Sequence, residues 1–365
     1  MDRLVSLRLD ALRALAALMV FIYHLSYLGY AGRALPAEVG RLGVLVFFVM
    51  SGYVIAYVTE CKHRDLQHYM NARFARLFSV FLPALLLTVV CDALGRELDS
   101  ALYTRYPDVY EARAWLRLPF FIGFLFENAL FSLRWFSNGP MWSIAYEFWY
   151  YALYGVLAYT SGRRRLALLV SALLLAGWKI MLLAPVWWAG VLLYRHQHRV
   201  AAAIELRRVP VFWLGATLLL AGLLPAVRAH TAALGDWGGR LLGVGMHMFF
   251  LSDYLQMLPL LLLVATLIVP NRAARPASGW QGLFKAAASC SFSIYLYHVP
   301  LILLFRASGL YDPQSLAQSA VAGTATLACC YLLASLTEHR KENWLGWVET
   351  VGATLFPKHE KIGQH

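Results

Sequence analysis

The chain has 365 residues, 60% of them apolar and 14% charged, with a formal net charge of +12 and a mean hydropathy of +0.57. A soluble domain of that length is far more polar, so the composition excludes one and points to a polytopic membrane protein. The basic residues lie between apolar runs, with no recognition module beside them, which argues against nucleic acid as a partner; five cysteines without CxxC spacing argue against a disulfide framework or a metal centre.

Apolar runs of roughly 17 to 25 residues, with shorter ones tolerated in a tilted bundle, predict an all-α fold of about ten transmembrane helices. They lie near 9–30, 42–59, 77–95, 141–160, 165–180, 184–195, 210–227, 254–270, 288–307 and 316–337. The first run is of full length, holds ionisable residues and precedes many others, so it reads as a span and not as a cleaved signal peptide. Lys179 and Pro185 interrupt the fifth and sixth runs, which could instead be one long kinked helix. Residues 1–337 form the membrane domain, and 338–365 an amphipathic, charged tail with Trp344 and Trp347 suited to the interface.

An even number of spans puts both termini on one side, and the positive-inside rule chooses the cytoplasm. Basic residues then crowd the inner turns: Arg163, Arg164 and Arg165 in one, Arg207 and Arg208 in another, Arg73 with Arg76 and Arg272 with Arg275 in two more. Between spans three and four, residues Arg96 to Pro140 form a long outer connection containing LPFFIGFLFENALF. A re-entrant or interfacial segment is expected there, tolerated at membrane depth only against protein or a wet cavity. No internal repeat is visible, which argues mildly against the repeat-built transporters.

A polar group inside a span is expensive, so each marks a candidate site. The first span carries Asp10, Arg13 and His24. Arg13 and His24 are eleven residues apart, about 1100° of turn, and so share one helical face about 16 Å apart along the axis. Asp10 is placed to pair with Arg13 as an i,i+3 partner. The second span holds Ser51-Gly52, where a small-residue helix contact and a functional role are equally open. The fourth opens with Trp142-Ser143 and carries Glu147, about 10 Å inside its outer end, at a depth similar to that expected for His24. The ninth places Ser291, Tyr295 and His298 on one face.

These pieces, taken in order, resemble the membrane-bound acyltransferase-3 family, whose members O-acylate bacterial surface carbohydrates. Leu9 to Arg13 followed by His24 is similar to its arginine, ten residues, histidine signature. Phe47 to Tyr53 (FFVMSGY) resembles its second-span FFVLSGF, Arg73 and Arg76 its RxxR, Trp142 to Glu147 its WSLxxE, and Ser291 to His298 its SYSLYLWH. The proline that usually follows the RxxR within a few residues is missing, as is the one after Glu338. The form expected is the stand-alone one, without a hydrolase-like domain.

The resemblance implies a bacterial inner-membrane enzyme that takes an acyl group, most simply acetyl, from cytosolic acyl-coenzyme A. The acceptor would be a hydroxyl of an exopolysaccharide, O-antigen or related lipid-linked glycan, and no metal is implied. Arg73 and Arg76, with Arg163 to Arg165 as weaker additions, suit the donor's phosphates, and Arg13 and Ser51 its inner reach. His24 would be the general base or a transient acyl carrier, supported by Arg13, Asp10 and Glu147. Trp142, Ser143, Tyr295 and His298 would face the acceptor. Two other classes fit the polar residues: a transporter or flippase of a lipid-linked sugar, and a non-catalytic subunit whose polar groups lock helices together.

Overall fold

The computed structural model describes residues 3–30, 35–61, 65–104, 110, 112–128, 130–242, 250–268 and 281–355. The helices are α1 (Arg3–Tyr27), α2 (Ala37–Cys61), α3 (Leu66–Leu98), α4 (Leu118–Ile122), α5 (Trp142–Tyr159), α6 (Gly162–Arg195) and α7 (Gln197–Ile204). They continue as α8 (Arg208–Gly222), α9 (Pro225–Leu242), α10 (Phe250–Ile268), α11 (Gln281–Ser289), α12 (Ser291–Ala307), α13 (Leu316–Leu336) and α14 (Lys341–Leu355). Among the described residues there is no strand, only two isolated bridges, Glu127 with Ser132 and Trp135 with Asn138. The chain is thus the expected all-α, polytopic membrane bundle.

Among the described residues, five segments are long and apolar enough to cross a bilayer: Ala37–Cys61, Leu66–Leu98, Gly162–Arg195, Phe250–Leu267 and Leu316–Thr350. A sixth arises if Gln197–Gly222 and Pro225–Thr231, bent by 77°, make one crossing. That is fewer than the ten runs of the sequence. Ionisable groups in α1 and the tyrosines of α5 dilute their apolar character, and α12 is a shorter apolar helix. The runs 165–180 and 184–195 are joined in α6, whose break falls at Gly177 (φ 75°, ψ 164°), a conformation open to glycine, and not at Lys179 or Pro185. With those runs joined, an even count no longer follows, and the common side of the termini rests on the basic turns. Of these, Arg272 and Arg275 lie outside the described residues, as does the end of the tail after Leu355.

Which face of α1 meets lipid is set by its side chains. Of its exposed large apolar residues, Leu15, Leu18 and Ile22 lie roughly opposite Arg13 and His24 at about 100° per residue, while Tyr27 lies on the cavity side with His24. The polar stripe therefore faces protein. In α3, Leu86, Val90 and Leu94 form a similar exposed row. α2 is wedged between α1 and α6. A Cβ on Gly52 would come within 2.0 Å of the Trp187 carbonyl oxygen, and one on Gly190 within 1.9 Å of that of Val49, so glycine on both helices lets their backbones touch.

The connection between α3 and α5 folds inward. Its apolar part makes only the five-residue α4 and irregular chain, with Phe121, Phe124, Phe126 and Trp135 fully buried. Phe121 and Phe126 stack at 4.2 Å, and the Trp135 indole donates to the Leu85 carbonyl at 3.0 Å. These rings are covered by protein, while Phe120, Ile122 and Leu130 of the same stretch are exposed. Asp92 of α3 fastens the far end of this segment. It accepts the Ser137 N–H at 2.8 Å, the Ser137 hydroxyl at 2.6 Å and the Tyr110 hydroxyl at 3.1 Å.

Candidate active site

His24 sits near the end of α1, and its Nδ1 lies 2.9 Å from the Val20 carbonyl. A carbonyl only accepts, so Nδ1 carries the hydrogen and Nε2 keeps a lone pair. His298, on α12, repeats the arrangement with Nδ1 2.8 Å from the Ile294 carbonyl. It is fully buried and its Nε2 has no partner. The two rings meet edge to face with centroids 4.9 Å apart.

His24 lines a cavity of about 310 Å³ between α1, α2 and the chain from Glu127 to Trp142. Tyr295 and Val44 also line it, and both recur on a second space of about 30 Å³ that reaches Ser143 and Glu147. Ser143 and the Tyr295 hydroxyl are 2.7 Å apart, and Tyr295 donates onward to the Pro140 carbonyl at 3.0 Å. This bonded pair stands between the two spaces.

On the far side, Ser51 donates to Glu147 at 3.1 Å and lies 3.1 Å from the Tyr151 hydroxyl, which itself donates to Glu147. The Trp187 indole donates to Ser51 at 3.2 Å. Ser51 and Gly52 thus divide the two roles left open for them, one polar and one steric. Arg73 lies over the rings of Tyr69 and Tyr151, 5.7 and 5.8 Å from their centroids, with its Nε buried and unpartnered. Arg76, one turn on, is within electrostatic reach of Glu147, Glu338 and Tyr151. Arg13 joins the same group, paired with Asp10 at 3.4 Å and close enough to feel Arg76 and Glu338.

The structure thus gathers the expected residues into two groups. Asp10, Arg13, Ser51, Arg73, Arg76 and Glu147 form one; in the other, His24, Tyr295 and Trp142 line the larger cavity, with His298 packed against His24 and Ser143 bonded to Tyr295. Glu147 bonds Ser51 and Tyr151 and makes no hydrogen bond to His24, so similar depth did not make these two partners. Of the weaker arginines, Arg163 and Arg164 are exposed, while Arg165 donates to the Thr160 carbonyl at 2.6 Å at the end of α5.

Several residues of the site had not been singled out. Glu338 accepts from the Ser293 N–H at 2.9 Å and its hydroxyl at 2.8 Å, satisfying a free donor at the start of α12. Arg41 pairs with buried Asp253 and bonds Ser252 at 3.2 Å on the cavity wall. Lys179, read as an interruption of a span, lies 3.9 Å from Glu127, which also accepts from Ser132. Asn138 completes the wall. Their only sequence signal was a charge or an amide near an apolar run, and the partners are tens to hundreds of positions away.

The structure joins a membrane helix bundle, a pair of histidines and a cluster of arginines and carboxylates. The acyltransferase-3 family model, described as an acyltransferase domain, matches residues 6–335, and the chain belongs to that family. No curated protein and no solved structure matches it.

Proposed function

We propose that the protein is an O-acyltransferase of the bacterial inner membrane that moves an acetyl group from cytosolic acetyl-coenzyme A to a hydroxyl of a surface glycan or its lipid-linked precursor. Both termini are then cytoplasmic, with the arginine cluster on the donor side. The observation that carries this reading is the lone pair of His24 Nε2 at a cavity that shares Tyr295 and Val44 with a smaller space reaching Glu147.

Arg73 brings a buried, unpartnered N–H to the donor side, suited to an anionic oxygen. Arg13, held by Asp10, would hold the donor's pantetheine arm on that side. The acceptor hydroxyl gives its proton to His24 Nε2 as its oxygen attacks the thioester carbonyl. The C–S bond then breaks, and the coenzyme A thiolate takes the proton from His24, leaving an ester and free thiol.

Purified protein in nanodiscs with labelled acetyl-coenzyme A tests this. Release of free coenzyme A that depends on His24 and on an added acceptor is expected. Binding of a glycan without turnover would instead make the protein a carrier, and a label trapped on His24 would replace the base with an acyl-histidine.

A further inference from the structure

Asn138 is 1% exposed and lies on the wall of the cavity that His24 lines. Its amide orientation is fixed by its partners. Nδ2 is 3.0 Å from the Thr88 hydroxyl and 2.8 Å from the Leu296 carbonyl, and a carbonyl must be met by the NH₂ end. The Leu296 carbonyl is available because Pro300, four residues on in α12, has no N–H to offer it. Thr88 in turn donates to the Ala84 carbonyl at 2.7 Å, so its oxygen is left to accept from Asn138.

Oδ1 of Asn138 is consequently an acceptor, buried and without a partner. The Asp92 contacts to Ser137 hold it there, with the preceding Phe136 at a φ of 45°. The same cavity is lined by His24, whose Nε2 keeps a lone pair. A buried acceptor is normally bonded, so an orphaned amide oxygen and an imidazole lone pair on the wall of one cavity call for a ligand that brings more than one O–H. The charged groups on the wall already have partners: Arg41 is paired with Asp253, Glu127 lies 3.9 Å from Lys179, and Arg134 is within electrostatic reach of Glu127.

We infer that Asn138 is a specificity-determining residue, whose Oδ1 accepts a hydrogen bond from a second hydroxyl on the same ring as the hydroxyl activated at His24, making the protein selective for cyclic polyols over isolated alcohols. This rests on the acyl-transfer reading above. An acceptor lacking the second hydroxyl leaves Oδ1 buried and unpaired, which lowers kcat/KM about ten- to a hundred-fold.

The test compares cyclohexanol with the 1,2- and 1,3-cyclohexanediols as acceptors for labelled acetyl-coenzyme A, in wild type and in Asn138→Leu and Asn138→Ser. At least one diol should exceed cyclohexanol by that factor in wild type, and the ratio should fall to about one in Asn138→Leu. A merely structural role would lower both rates and leave the ratio unchanged. The wild-type comparison needs no variant to fold, and Asn138→Ser gives a smaller substitution if Asn138→Leu does not. Diols and cyclohexanol used alike or not at all while coenzyme A is still released, or a preference that survives in the variants, would overturn the role of Asn138. Absence of any His24-dependent coenzyme A release would instead bring down the acyl-transfer reading.

Discussion

The rings of His24 and His298 meet at 4.9 Å although the residues belong to the first helix and to α12, and each commits its Nδ1 hydrogen to the carbonyl four residues back in its own helix. Both therefore present Nε2 lone pairs. That of His298 has no hydrogen-bond partner, and its ring packs against the one proposed as the base. His24→Ala should reduce turnover by about 10²- to 10⁴-fold, the range for removing a general base, with insertion and thermal stability retained. His298→Phe preserves a buried ring and should lower kcat by a smaller factor without changing KM for the donor. Near-normal coenzyme A release by His24→Ala would remove it from the mechanism.

Arg73 and Arg76 stand one turn apart, yet their surroundings separate them. Arg73 rests on Tyr69 and Tyr151 and keeps an N–H without a partner, whereas Arg76 faces Glu147 and Glu338. Arg73→Ala should therefore raise KM for acetyl-coenzyme A with kcat little changed. Arg76→Ala also removes a cation within reach of Glu147 and Glu338, so it should lower kcat and thermal stability together. An unchanged donor KM in both variants, measured by steady-state coenzyme A release, would count against the phosphate role.

Asp92 reaches the acceptor cavity only through the chain it fastens. In Asp92→Ala, the Ser137 N–H loses its acceptor in a buried position, at a cost of about 1–3 kcal/mol. The turn that presents Asn138 is then loosened. Donor KM should stay as it was, while the preference for a diol acceptor over cyclohexanol should shrink. A variant with full preference would show that the turn holds its shape without Asp92.

The sequence made the α1 stripe legible because helical periodicity is local: Arg13, His24 and the exposed Leu15, Leu18 and Ile22 fall on opposite faces by counting alone. The ordered motifs then placed Ser51, Glu147 and Tyr295 in one site. What could not be read was pairing across the bundle. Glu147 finds Ser51 and Tyr151 because α2 and α5 pack side by side, and depth along two separate helices says nothing of their relative rotation. Asn138 depends on a carbonyl freed by Pro300, 158 positions beyond it at Leu296. The break of α6 fell at Gly177 for a similar reason: a proline or lysine interrupts apolarity in a sequence, but a positive φ is what turns the chain here.

The contact of α2 with α6 should tolerate no side chain. In Gly52→Ala the new methyl would meet the backbone of Trp187, which cannot move aside as a flexible side chain would. Overpacking of this kind costs about 1–3 kcal/mol, and here it would also displace Ser51, the next residue, from Glu147. Gly190→Ala, acting on the same contact from α6, should lower the thermal midpoint similarly, and the double variant should lose less than the sum of the two. Additive losses would mean that the two glycines lie in independent contacts.

Glu338 links the donor-side arginines to the helix of His298. Its carboxylate accepts from the Ser293 N–H, near the first turn of α12, while Arg13 and Arg76 lie within its electrostatic reach. Two substitutions separate these functions. Glu338→Ala removes the acceptor, and the loss of a helix-terminal bond should destabilise the protein by about 0.5–2 kcal/mol. Glu338→Gln keeps an oxygen for Ser293 but removes the negative charge that competes with a donor phosphate for the arginines. Its thermal midpoint should stay close to wild type, and its affinity for acetyl-coenzyme A should rise, read as a lower KM or a tighter binding isotherm. If Glu338→Gln instead binds the donor more weakly, the carboxylate orients the arginines for the donor, and the competition argued here does not operate.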